Sequence, residues 1–102
     1  MRSARVFVND SKAGMLHEEE ESRYVFEYDE EYDGPAVSLL MPVERRRYHF
    51  DRFPPFFEGL LPEGSNLENL LRLQRLDRHD CFGQLVAVGR DLVGAVTVIE
   101  EA

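Results

Sequence analysis

Apolar and polar positions alternate along the first part of the chain. Arg5-Val6-Phe7-Val8 reads as a first strand. Asn9 to Gly14 carries turn chemistry, and Met15-Leu16-His17 begins a second strand in a hairpin with the first. Arg23 to Tyr28 is the clearest strand, with Tyr24, Phe26 and Tyr28 on one face at period two. Asp29 to Pro35 reads as a loop. Ala36 to Leu40 reads as a fourth strand stopped by Pro42, and Glu44 to Asp51 as a polar connection. The period then lengthens. Ser65 and Glu68 have capping-box spacing, and Leu67, Leu70, Leu71 and Leu76 fall near one helical face. Asp80 is placed to cap a second helix, Cys81 to Val88, with Gly89 as its natural end. Gly83 opposes that helix by about 1 kcal/mol. Val93 to Ile99 reads as a last strand. The predicted class is α+β: a small antiparallel sheet, made of an N-terminal meander and a late strand, with two short helices in the C-terminal half.

Phe53 to Leu71 is the stretch around which the rest is arranged. Pro54-Pro55 stiffens its entry, and Phe56, Phe57, Leu60 and Leu61 form an apolar cluster. Pro62-Glu63-Gly64 stops and turns the chain, and Gly64 can take a positive φ that other residues resist. Phe56, Phe57, Leu60 and Leu61 are expected to pack the loop onto its own sheet and helix. Glu63, Gly64, Ser65, Asn66 and Leu67 are the expected partner contacts, since the turn and helix start expose them. A turn held at both ends costs little entropy on binding. The plainer alternative makes it a helix cap and nothing more.

Composition narrows the classes. The 102 residues suit one domain with a modest core. A net charge of −8 disfavours direct nucleic-acid binding, which needs basic patches. No apolar run approaches the roughly 20 residues of a membrane helix. Met1 to Arg5 leads straight into the alternating pattern, so no secretory signal is expected. Cys81 is the one cysteine, which excludes an internal disulfide, and a cytoplasmic setting is expected.

Candidate chemistry is sparse. Asp29 to Gly34 resembles half a calcium loop, but the twelfth position, where a bidentate Glu belongs, is Leu40. A solvated acidic turn explains it better. Glu18 to Glu21 reads as a solvated, self-repelling hairpin end, with steering of a basic partner as the alternative. His79 and Cys81 lack the further ligands that structural zinc needs, so Cys81 reads as a small buried residue. Arg45-Arg46-Arg47 is too short to bind nucleic acid and balances local acidity or pairs across an interface. No phosphate-cradling glycine loop, nucleophile elbow or kinase catalytic loop occurs. No catalytic, metal or cofactor residue is assigned, and a binding module is the better class.

Three segments carry a resemblance: Val37 to Pro42, Phe56 to Gly64, and Gly89-Arg90-Asp91-Leu92-Val93-Gly94-Ala95-Val96. Together they resemble the N-terminal subdomain of HipA-type serine/threonine kinase toxins, over nearly the whole chain. Leu92 departs from the cysteine that many relatives carry there. HipA toxins continue into a kinase core that binds ATP and magnesium, whereas this sequence stops at Ala102. In that respect it is similar to the small HipS antitoxins of three-component HipBST systems. The resemblance implies a non-catalytic antitoxin that docks on a HipT-like kinase toxin and holds it inactive. A HipB-like DNA-binding protein would complete the complex. A structural subdomain without inhibitory role, and an activating or scaffolding subunit, are the alternatives.

Overall fold

The computed structural model describes residues 1–20 and 22–101. Its antiparallel sheet has five strands in the order β4-β3-β2-β1-β5. These are β1 (Arg2–Val8), β2 (Ser11–Glu18), β3 (Tyr24–Tyr28), β4 (Arg47–Phe50) and β5 (Val96–Glu100). The helices are α1 (Pro55–Glu58), α2 (Gly64–Gln74) and α3 (Cys81–Val88), the last running into a 3-10 turn at Gly89–Asp91. The class is α+β, as expected, with one helix more than the sequence suggested.

Register decides which face is buried. Ala4, Leu16, Phe26 and Tyr48 stand in one cross-strand row, and Val6 faces Val98 across β1 and β5. Residues opposite one another share a face. That face meets Phe57 from α1 and Phe82 and Leu85 from α3, and together they make the core.

The hairpin turn is tighter than the polar run implied. Only Asn9 and Asp10 turn, at φ 50° and 68°, the left-handed pair that suits a two-residue hairpin. Gly14 lies inside β2, where a Cβ would run into the Glu27 carbonyl. It is there for close approach, not for a turn.

Ala36–Leu40 is not a strand. The Val37 N–H donates to the Tyr28 hydroxyl at 2.9 Å, and that hydroxyl donates to the Met41 carbonyl. The Met41 N–H closes a tight turn onto the Ser38 carbonyl at 2.9 Å. A tyrosine and a turn thus take backbone groups that a ladder would have paired. The fourth strand is instead β4, inside the expected polar connection. Tyr48 is buried and Phe50 half-buried there, while Arg47 and His49 are exposed. Four residues are too few for a period to declare itself. β5 likewise starts at Val96 rather than at Val93, which is 97% exposed.

Asp80 caps α3 as expected, accepting from the Gly83 N–H at 3.0 Å. Gly83 is buried, and a Cβ there would press into the Asp80 carboxylate, so the glycine makes room for the cap. α3 stops before Gly89, but that residue is right-handed at φ −59°. A Cβ on it would strike the Val98 carbonyl, so Gly89 serves close contact with β5 rather than a left-handed cap.

The capping box at Ser65 does not form. Glu63 stands at the cap position of α2, extended and without a side-chain bond, and Ser65 lies exposed in the first turn. The Glu68 carboxylate turns instead to Arg78, at 2.6 Å. Ser65→Ala is therefore expected to change stability by less than about 0.5 kcal/mol. A denaturant midpoint shifted by more would restore Ser65 as a cap.

Arg2 ties three elements together. Its guanidinium donates to Glu18 at 2.7 and 2.9 Å and to Asp80 at 2.7 and 3.2 Å. Glu18 is thus engaged at the end of β2 rather than part of a free acidic run, and Glu21 lies outside the described residues. Hydrogen bonds from Arg2 hold both carboxyls below the usual carboxylate range, against the opposing effect of burial. Depressed carboxylates stabilise the fold above their unfolded pKa and lose that contribution as pH falls through the folded value. The gap in thermal midpoint between the wild type and Arg2→Met should be full above about pH 4 and close below it. A gap independent of pH would show that the pairing does not govern stability. Asp80→Ala also loses the cap and is expected to cost about 1–3 kcal/mol by chemical denaturation.

Candidate partner-binding surface

The surface grows out of the proline-rich entry. Phe53 and Pro54 are buried, and Pro54 precedes α1, whose fixed φ at Pro55 suits a first helical position. The Glu58, Gly59, Leu60 and Leu61 N–H groups donate in succession to the Pro54, Pro55, Phe57 and Glu58 carbonyls, at 3.0–3.1 Å. One and a half turns are thereby closed without a partner. Phe57 is fully buried, while Phe56, Leu60 and Leu61 are half-buried against the same core.

The chain then leaves the core. Glu63, Gly64, Ser65 and Asn66 are exposed and Leu67 is half-buried. Gly64 sits at φ 59° with nothing within 4 Å of a would-be Cβ, so backbone conformation alone calls for glycine there. None of the residues of α2 is buried. Leu67, Leu70 and Leu71 are half-covered, and Leu73 is 73% exposed. Leu76, expected on the same face, lies past the helix end, where its N–H donates to the Leu71 carbonyl behind a left-handed Arg75.

A second segment meets this turn, one that residue-by-residue reading did not join to it. Leu60, Pro62 and Asn66 on one side and Val88, Leu92 and Val93 on the other line a shallow concavity. Two stretches some thirty residues apart thus present one surface; of the expected contacts, Asn66 lines it and Glu63, Gly64, Ser65 and Leu67 do not. The signal lay in the sequence as two separate motifs, Phe56–Gly64 and Gly89–Val96, but their adjacency did not.

The remaining candidates dissolve into structure. Arg46 donates to the Asp29 and Tyr32 carbonyls at 2.9 and 2.7 Å, so a guanidinium fastens the acidic turn. Among the described residues no cluster of three acidic, histidine or cysteine side chains could hold a metal. Cys81 is half-buried, and burial first, then Glu58 and Asp80, push its thiol up, away from the reactive thiolate. Among the described residues no helix is long and apolar enough to cross a membrane.

The family described as the HipA N-terminal domain matches residues 4–99. An uncharacterized protein of Haemophilus influenzae is 35% identical over 101 residues, covering 99% of this chain and 94% of that protein. A solved structure described as the N-terminal domain of a HipA toxin superposes with a TM-score of 0.81 at 33% identity, covering all of this chain and 94% of its own.

Proposed function

The chain belongs to the HipA N-terminal domain family, and from that premise we propose that it is a non-catalytic antitoxin which binds a HipT-like serine/threonine kinase and holds it inactive. The contact centres on Glu63, Gly64, Ser65, Asn66 and Leu67. One observation carries the reading: two of the three segments that resemble HipA meet at one concavity, which Asn66 also lines, beside a helix with no buried residue. The half-covered leucines of α2 supply apolar area for a partner to bury, and the exposed turn supplies hydrogen-bonding groups beside it. The Haemophilus influenzae relative, of which 94% is matched, is itself a protein of comparable length. That accords with a small, separately made partner for the kinase. A HipB-like DNA-binding protein completes the proposed complex, and the protein acts in the cytoplasm.

A second reading, a structural subdomain without inhibitory role, draws on the solved neighbour being described as a domain of a toxin. Co-expression separates the two. The inhibitory reading expects a HipT-like kinase from the same genome to co-purify with this chain and its toxicity to disappear. Co-purification with toxicity intact, or failure to co-purify, would sink the antitoxin reading and leave the structural one.

A further inference from the structure

β4 is an edge strand with one side open. Which of its backbone groups are free follows from hydrogen bonds at the ends of the ladder. The Tyr28 N–H donates to the Arg46 carbonyl, and the Asp29 N–H to the Ala13 carbonyl, both at 2.8 Å. Pairing alternates along an antiparallel strand. Even-numbered residues of β3 therefore bond to β4, through Tyr48 and Phe50, and odd-numbered ones bond to β2. The N–H and C=O groups of Arg47 and His49 consequently point away from the sheet. No turn or side-chain hydrogen bond among the described residues reaches them.

The two faces beside this edge differ in chemistry. Tyr48 and Phe50 project to the core face, and with Leu40, Met41, Pro54 and Phe56 they line an open apolar pocket. Leu40 on its rim is 86% exposed. Arg47 and His49 project to the opposite face and are exposed. The Arg47 guanidinium lies 3.5 Å from Glu27, about half exposed on both sides, a contact easily given up. Arg45 is stacked 5.2 Å over the Tyr48 ring, on the pocket side of the edge.

We propose that β4 receives an extended segment of a partner protein in which acidic and apolar residues alternate. Side chains of an added strand point alternately to the two faces. Those on the core face would enter the pocket beside Tyr48 and Phe50. Those on the other face would meet Arg47. Charge complementarity selects the acidic set, and it does so on a chain whose net charge of −8 would repel an acidic segment elsewhere. The inference goes beyond the kinase reading and uses a different element from α2.

The test is selection of a displayed library of random ten-residue segments on the purified chain, followed by amide hydrogen exchange with a synthetic copy of the winner. The expected winners alternate acidic and apolar residues and protect the Arg47 and His49 amides. His49→Pro removes an outward donor while leaving the bonds to β3 untouched. It is expected to keep the circular dichroism spectrum and lose binding by at least about tenfold. Arg47→Glu is expected to lose about as much for the acidic winner and to recover binding to its lysine-substituted counterpart. No enriched segment, or winners that leave both amides exchanging freely, would overturn the proposal. So would a dimer of the free chain that His49→Pro converts to monomer, since a second copy would then be the occupant.

Discussion

Phe57→Ala is expected to lower stability by about 3–5 kcal/mol, the range for truncating a large aromatic in a packed core. Phe57 is fully buried, with ring centroids 6.0 Å from Phe26 and 5.2 Å from Phe56. It is also what fastens α1, a helix of four residues that cannot persist on its own. Against a total of about 5–15 kcal/mol for an ordinary domain, the loss is a large fraction. Phe56→Ala, at a half-buried neighbour, should cost about 1–2 kcal/mol. The two denaturation curves settle the matter. Equal midpoints for both variants would mean that Phe57 does not anchor the segment.

That ranking of neighbouring phenylalanines was beyond the sequence, which marked Phe56, Phe57, Leu60 and Leu61 as one cluster without saying which faced inward. What could be read from the chain was local. Tyr24, Phe26 and Tyr28 alternate over a full strand, so their face followed from period alone. Asp80 stood before an apolar run and caps it. Where the sequence misled, a distant group had taken the backbone. Tyr28 captured Val37 and Met41 and turned an apolar stretch into a loop. The helix begins one residue before Ser65, at Gly64, which puts Glu63 at the cap position and Ser65 in the first turn. β4 was hidden because only two of its four positions are apolar. Gly14, Gly83 and Gly89 looked like turns, interruptions or caps, yet each makes room for a neighbour that only the fold brings near.

At the proposed interface, Asn66→Arg and Leu67→Glu are expected to weaken kinase binding by about 10- to 100-fold, the effect of disrupting a central contact. Asn66 is exposed, so its replacement should cost less than about 0.5 kcal/mol of stability. Leu67 is half-buried, and circular dichroism must show that its variant folds. The contrasting variant neutralises Glu19 and Glu20. Glu18 is left alone because Arg2 holds it. Exposed acidic groups act at long range and are screened over about 8 Å at physiological salt. Their loss should slow association and flatten its salt dependence while leaving the final complex in place. A contact built on shape and short hydrogen bonds should instead survive moderate salt and fail with Asn66→Arg.

The most direct measurement is phosphotransfer by a purified HipT-like kinase, titrated with this chain and with its Asn66→Arg variant. Activity is expected to fall to background at stoichiometric wild-type chain and to remain with folded Asn66→Arg, and the chain alone is expected to transfer no phosphate. Undiminished or increased kinase activity at saturating wild-type chain would contradict the antitoxin reading.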